Sequence, residues 1–191
     1  PEDTAGAKLM ESAAKLASAT DNKLVQIMKC DLNIANCIID TVQSNKITDL
    51  IVGIHHKANI VDTFLGGMIT SLINGTSNQN LIIYGPKKPI NSVKRLVVAV
   101  PQMAELEVGF DVWFDRIKNI ASQLSIPVVF YANKNTTIAL KKQCEIHSSL
   151  NVSFRELASW EDFLIISKHI KHGDTLIVIT ARKATLSYNN L

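Results

Sequence analysis

A small group of glycines after a predicted strand offers the backbone freedom that a phosphate-binding loop needs. Gly53 follows the apolar run 50–52, His56 comes after two further residues, and the pair Gly66-Gly67 comes after nine more. A glycine at the end of a strand lets the backbone approach a ligand closely, and amides at the start of the next helix bind phosphate oxygens. Phosphate binding is therefore one interpretation of these glycines, and the simpler one, which we prefer, gives them roles in turns and packing alone.

Other residues that could do chemistry occur in pairs too small for a site. His55 and His56 are adjacent in a polar loop, and Cys144 and His147 lie three apart on a predicted helix. A zinc site needs three or four protein ligands, so neither pair predicts a metal centre. No Ser/His/Asp order accompanies a nucleophile elbow and no paired carboxylates stand out, so hydrolytic chemistry is not predicted.

The composition is that of a globular protein without a strong charge bias. Of 191 residues, 47% are apolar and 19% are charged, and the net charge is +3. Lysine and arginine are scattered, with no basic stripe among aromatic residues, so nucleic-acid binding is not predicted. Three cysteines without CxxC spacing indicate a reducing compartment. No apolar run approaches the roughly 20 residues that span a bilayer, and no signal peptide precedes the first helix, so we expect a soluble, non-secreted fragment.

Hydrophobic periodicity predicts strands that alternate with single helices. Such alternation predicts parallel sheets with helices on both faces. Trp113 and Trp160 fall on apolar helix faces and are interpreted as core residues. Gly75 is expected to provide a left-handed cap after the third helix, and the segment 85–91, with two prolines and a glycine, is the best linker candidate. The predicted strands are 23–28, 50–52, 81–84, 96–100, 128–131, 152–157 and 176–179, and the predicted helices are 5–17, 33–42, 63–74, 110–121, 136–147 and 160–170.

The two halves of the chain repeat one supersecondary unit. Val25 to His56 reads strand, helix, Thr-Asp-Leu-Ile-Val, and Val152 to Thr180 reads strand, helix, Asp-Thr-Leu-Ile-Val-Ile. Two copies of one unit suggest a duplication.

These motifs resemble the universal stress protein family. The stretch 48–53, Thr-Asp-Leu-Ile-Val-Gly, is similar to that family's fourth strand and the glycine-marked loop after it. Nucleotide-binding members carry Gly, two residues, Gly, nine residues, then Gly followed by Ser or Thr. Here the spacing is kept, but His56 replaces the second glycine and Gly67 replaces the hydroxyl residue. The resemblance implies an adenine nucleotide, ATP or AMP, as a ligand of the first half rather than as a required cofactor. The residues that this implies as its contacts are Gly53, Ile54, His56, Gly66, Gly67 and Met68.

The second half departs further from the family pattern. Its first strand ends at Pro101, where nucleotide-binding relatives place an aspartate that holds the adenosine, and proline has no side chain that could replace it. The last strand passes into the segment 181–184, Ala-Arg-Lys-Ala, which has no glycine spacing. We therefore expect the second half to be a non-binding copy.

The arrangement as a whole resembles the tandem stress-protein-like tail of bacterial monovalent cation:proton antiporters. The similar stretches are 53–58, 80–89 and 93–101. The resemblance implies a regulatory domain at the cytoplasmic face of the inner membrane, partnered by the transmembrane antiporter domain and by a second copy in a homodimer. The alternative is a free-standing nucleotide-binding stress protein, and an enzyme such as a nucleotide hydrolase is a more distant third.

The resemblance also implies two α/β, Rossmann-like units that are both incomplete. The first unit is expected at 1–88, without the family's opening strand, helix and strand. The second is expected at 92–191, without the last helix and strand. Since the chain starts with Pro1 rather than methionine, we interpret it as a piece of a larger protein. The strand predicted at 23–28 would then lack its normal neighbour, at a cost of about 1–3 kcal/mol for each buried backbone group left unsatisfied.

Overall fold

The computed structural model describes residues 2–29, 31–54, 61–85, 88–146 and 150–189. Three 3₁₀ turns lie within these ranges, at Ile90–Ser92, Ala104–Leu106 and Trp160–Asp162. The helices are α1 (Glu2–Ala19), α2 (Ile34–Ser44), α3 (Val61–Gly75), α4 (Phe110–Leu124), α5 (Lys134–Ile146) and α6 (Phe163–Ser167). The strands are β1 (Asp49–Gly53), β2 (Asn80–Tyr84), β3 (Arg95–Ala99), β4 (Val128–Ala132), β5 (Val152–Glu156) and β6 (Asp174–Val178).

The larger sheet is parallel throughout and has the order β5-β4-β3-β6. β3 pairs on both edges, with Leu96 opposite Val128 of β4 and opposite Thr175 of β6. All five residues of β4 and four of the five in β3 are buried. Continuous burial of this kind is typical of parallel strands that helices cover on both faces.

Helices pack on each face of the larger sheet. On one face α4 and α5 cover alternate residues of β3 and β4, and the rings of Phe114 and Phe130 stack with centroids 6.0 Å apart. On the other face the intervening residues Val97 and Val129 pack with Ile166 of α6. The predicted α/β fold, with parallel sheets flanked by helices in a Rossmann-like arrangement, is therefore confirmed.

The two tryptophans occupy the positions expected of core residues. Trp113 on α4 is partly buried against the first of these cores, and Trp160 is partly buried against the second. The indole N–H of Trp160 has no hydrogen-bond partner among the described residues. Their predicted role in packing is confirmed.

A separate parallel pair, β1 and β2, forms the smaller sheet, with Asp49 opposite Asn80 and Gly53 opposite Tyr84. The helices α2 and α3 pack against each other beside it. The division of the chain into units at 1–88 and 92–191 stays a prediction, although β2 and β3 lie in different sheets.

Helix α2 begins with two side-chain caps. The side chain of Asn33 accepts a hydrogen bond from the backbone N–H of Asn36 at 3.1 Å, and the Asp31 carboxylate accepts one from the backbone N–H of Asn33 at 2.8 Å. Oxygens at this position satisfy backbone donors that the first turn of a helix leaves unpaired.

The strand predicted at Lys23–Met28 is wrong. Residues 22–29 have no strand or helix structure, and Val25 and Met28 are more than 60% exposed. By the internal repeat, this segment corresponds to β5, which forms a strand because it pairs with β4. The described residues offer this segment no counterpart of β4, so its backbone has no strand to pair with.

Two smaller predictions also need correction. The helix expected at 160–170 is only the 3₁₀ turn followed by the five residues of α6. Gly75 is the last residue of α3 and its backbone is not left-handed. Among the described glycines, positive φ is found at Gly173 alone. Gly75 instead allows α2 to approach closely, since a Cβ there would lie 2.8 Å from Cγ1 of Ile39.

An ion pair joins the smaller sheet to helix α4. The Arg116 guanidinium donates two hydrogen bonds of 2.8 Å to the two carboxylate oxygens of Asp49, and the Asn80 side chain donates a third, at 3.0 Å, to Oδ1. These bonds favour the charged form, so the Arg116 guanidinium holds the pKa of the Asp49 carboxyl far below its ordinary value.

A second arginine joins the end of α3 to the segment after β6. The guanidinium of Arg182 donates to the backbone carbonyls of Ile73 and Thr76, and to that of Gln79 at 3.1 Å. The last carbonyls of a helix have no partner within the helix, and a cation there also interacts favourably with the helix dipole. Arg182 therefore stabilises the end of α3, and burial lowers the pKa of its guanidinium.

Replacement of Arg182 by methionine should destabilise the protein by about 1–3 kcal/mol, because the partly buried carbonyls of α3 then lose their donors. Urea denaturation followed by circular dichroism measures the free energy of unfolding. Lys183→Met is the matched control, since Lys183 is the exposed next residue, and its unfolding should be unchanged. Equal stability of the two variants would contradict the assigned role of Arg182.

Asp49→Asn should lower stability at neutral pH, with a difference from the parent protein that shrinks as the pH falls below about 4. The folded pKa of Asp49 is depressed, so its stabilising contribution is present above the unfolded pKa and is lost as acid protonates the folded carboxylate. Denaturation midpoints measured between neutral and acidic pH test this. Asp40→Asn, at an exposed carboxylate on α2, is the control, and a pH-independent effect of Asp49→Asn would contradict the prediction.

Candidate functional site

Two of the predicted ligand contacts lie at the carboxyl end of β1. Gly53 is the exposed last residue of the strand, and the backbone N–H of Ile54 donates to the carbonyl of Tyr84 at 2.8 Å. The carboxyl ends of β1 and β2 therefore lie side by side, with Gly85 next to Ile54. Open α/β sheets bind ligands at this edge.

The other predicted contacts lie on α3, but not at its start. The helix begins at Val61, so Gly66, Gly67 and Met68 fall in its second turn and beyond. The backbone N–H groups left free for an anion are those of the first four helical residues. In α3 the amides of Gly66 and Gly67 thus lie beyond these four residues, and their contact with a ligand stays a prediction. The sequence pattern placed the start of this helix two residues later, near Thr63, because apolar spacing marks the core-facing stripe rather than the first turn.

His56, the remaining predicted contact, lies outside the described residues, as do His55 and His147. The prediction that neither His55 with His56 nor Cys144 with His147 forms a metal centre therefore stays a prediction.

The space around the glycines bears on the simpler interpretation of the pattern. A Cβ built on Gly53, Gly66 or Gly67 would meet no described atom within 4 Å, whereas one on Gly75 would overlap Ile39. Close packing against the described residues therefore requires glycine at Gly75 and not at the three positions of the predicted site.

The corresponding edge of the larger sheet is filled by the chain itself. β3 and β6 are neighbours in the sheet but not in sequence, which is the switch point at which doubly wound sheets bind ligands. Here the buried Pro101 follows β3, and Ala104 in the next 3₁₀ turn is also buried. The Thr136 hydroxyl at the start of α5 donates to the Glu105 carboxylate at 2.7 Å. An internal carboxylate thus occupies this helix start.

A second carboxylate holds the segment after β6 against the same edge. Oε1 of Glu107 accepts from the backbone N–H of Ser187 at 2.8 Å and from its hydroxyl at 2.9 Å. Burial opposes ionisation of Glu107, but these bonds outweigh it, so the pKa of the carboxyl lies below its ordinary value. The negative charge is therefore retained and binds the segment.

Two clefts were not predicted from the sequence. One has a volume of about 410 Å³ beside α6, and its walls combine apolar side chains with a few charged ones. The rings of Tyr131 and His169 lie 6.2 Å apart in it. The five-residue helix α6 contributes Ile165 and Ile166 to its lining. The lining residues include Tyr131, Arg155, Leu157, Ile165, Ile166 and His169.

The second cleft, of about 350 Å³, lies where the segment after β2 meets the turn before β6. In it Nζ of Lys88 lies 2.6 Å from Nε2 of His172. Tyr84 and Gly85, at the carboxyl end of β2, form the wall on the side of the smaller sheet, and Gly173 lies on the other side. A sequence signal for this cleft is absent, because the two basic residues are 84 positions apart.

Three observations on the described residues concern metal binding, thiol chemistry and membrane insertion. They include no group of three or more side chains suited to a metal ion. Burial raises the pKa of the Cys144 thiol, which keeps it from forming the reactive thiolate at neutral pH. In the same part of the chain, no helix is long and apolar enough to cross a membrane.

Comparisons with known proteins add no relative: no protein-family model matches the chain, and no curated protein and no solved structure matches it either.

The glycines on α3 should respond in opposite directions to alanine. Gly66→Ala should stabilise the protein by about 0.5–1 kcal/mol, because the new methyl group meets open space and glycine is a poor helix former. Gly75→Ala should destabilise it by about 1–3 kcal/mol, because Ile39 must move. Thermal denaturation of both variants measures this, and a stabilised Gly75→Ala would contradict the close approach of α2 and α3.

Proposed function

We propose that this chain is a regulatory, ligand-sensing domain of a bacterial monovalent cation:proton antiporter. The observation that carries the proposal is the contrast between two sheet edges. At the Gly53 edge a side chain would meet no described atom, whereas the edge between β3 and β6 is filled by residues bound to Glu105 and Glu107. The first half of the chain is therefore the candidate for ligand binding, since α/β sheets bind ligands at this edge. The second half is assigned a structural role.

Binding rather than turnover fits the side chains available. The carboxylates near the larger sheet's edge are bound internally, and the Cys144 thiol is held in its protonated form. A catalytic site needs a nucleophile or base whose partner is within hydrogen-bond reach and which faces a substrate. A domain with a ligand edge and without this apparatus acts by changing conformation or contacts when the ligand binds. ATP turnover that is lost in Gly66→Val would contradict this assignment.

Attachment to an antiporter is supported by the resemblance of the stretches 53–58, 80–89 and 93–101 to the cytoplasmic tails of such transporters. Genomic context tests it directly. An open reading frame that continues upstream into roughly a dozen apolar segments of about 20 residues each would support the tail. A start codon a short distance before Pro1 would leave the second candidate, a free-standing nucleotide-binding stress protein, which the edge at Gly53 equally favours.

Calorimetric titration with ATP and AMP tests the ligand. We expect saturable binding that Gly53→Leu weakens about tenfold or more, because the new side chain projects from the sheet edge at Gly53. Gly109→Leu is the matched control, since Gly109 also has no described atom near its missing Cβ and lies before α4. Absence of binding at millimolar nucleotide would refute the nucleotide ligand, and equal weakening by both variants would refute its location.

A further inference from the structure

The cleft between the two sheets contains a pair of basic side chains without an acidic partner. Lys88 follows β2, His172 precedes β6, and their nitrogens lie 2.6 Å apart. A lysine ammonium only donates hydrogen bonds, so Nε2 of His172 is the acceptor in this contact. Neither side chain has a carboxylate partner among the described residues, and both are exposed.

The nearest carboxylate in the cleft is already bound. Asp174 accepts hydrogen bonds from the side chain of Arg95 and from the backbone N–H of Lys171. These bonds outweigh the effect of its burial, so the pKa of the Asp174 carboxyl lies below its ordinary value. Asp174 is thus fixed at the base of β6 and does not neutralise Lys88 or His172.

The turn before β6 forms one side of the cleft through His172 and Gly173. The segment 163–173 contains Lys168 and Lys171 but no Asp or Glu. Gly173 has φ of +95°, and a Cβ there would lie 3.0 Å from the side chain of Lys94, so this glycine lets the lysine chain lie against the turn. The ammonium group of Lys88 gives this concave surface a positive charge, and such a charge raises the local concentration of anions.

We infer that this cleft binds a phosphate group, with Lys88 and His172 as its direct ligands. An oxyanion that enters between the two nitrogens accepts a hydrogen bond from Nζ of Lys88 and, in the His172 tautomer that carries its proton on Nε2, a second one from the imidazole, so an anion replaces the contact between two basic groups. The volume of about 350 Å³ is at the lower end of the range of small-molecule sites and suits a phosphate-bearing metabolite. This site does not require the nucleotide site at Gly53.

The position of the pair gives the bound anion a structural effect. Lys88 belongs to the segment after the smaller sheet, and His172 to the turn before an edge strand of the larger one. A phosphate held by both would link the two sheets at a third place, beside the bonds of Asp49 with Arg116 and of Arg182 with α3. Occupancy of the cleft therefore changes how firmly the two sheets are held together.

Titration of the full chain with inorganic phosphate, followed by two-dimensional NMR at constant ionic strength, tests the site. We expect saturable shifts of the amide signal of Gly173 and the ring signals of His172, with binding weakened about tenfold or more in Lys88→Gln and in His172→Gln. The control variants Lys183→Gln and His169→Gln, at exposed residues outside this cleft, should bind as the parent does. Since all four positions are exposed, circular dichroism should show unchanged folding.

Two further probes identify the source of the phosphate. AMP represents soluble phosphomonoesters, and vesicles of phosphatidylcholine with phosphatidylglycerol represent lipid headgroups. Binding of either probe that is lost in Lys88→Gln and His172→Gln but kept in both controls supports the site and names its source. No saturable binding of any probe, or binding that survives both cleft variants, would overturn the inference. If Gly53→Leu abolishes AMP binding while Lys88→Gln and His172→Gln leave it unchanged, AMP binds at Gly53. That result would overturn the cleft as the AMP site.

Discussion

Strand β3 must form hydrogen bonds along both edges and bury side chains on both faces, and the larger sheet is organised around that requirement. Its backbone is satisfied by β4 on one side and β6 on the other. Its side chains alternate between the core under α4 and α5 and the core under α6. The last four residues of β3 are apolar and buried. A strand of this kind meets both demands at the centre of a parallel sheet that helices cover on both faces. The carboxyl edge of β3 is then where the buried Pro101 and the carboxylates of Glu105 and Glu107 close the sheet.

Local sequence patterns predicted most elements of the fold and failed where a partner decides the outcome. The apolar runs of β3 and β4 identify buried strands by composition alone. The segment 23–28 has a similar composition, but it stays irregular because a strand also needs a neighbour, and no local pattern records whether one is present. The same limit applies to Gly75. Glycine is needed there because Ile39 of another helix approaches it closely, and not because of the local backbone conformation.

The candidate sites divide in the same way. Gly53 and Ile54 could be placed at a sheet edge from sequence because the strand before them is recognisable. The start of α3, which decides what the amides of Gly66 and Gly67 can bind, could not, because helix starts depend on capping more than on apolar spacing. The pairing of Lys88 with His172 joins residues 84 positions apart and follows from the way the two sheets meet.

The smaller sheet has only two strands, and such pairs are marginal in water without support from other elements. The Asp49–Arg116 ion pair holds this sheet to α4, and Arg182 binds the segment between α3 and β2, so these parts should open and close as one cooperative unit. In hydrogen-exchange terms, the amides of β1 and β2 would lose protection together and sooner than those of β3 and β4. Each opening would free Asp49 and the last carbonyls of α3 at the same moment. The molecule thus contains two levels of stability, and the less stable one includes the sheet edge at Gly53.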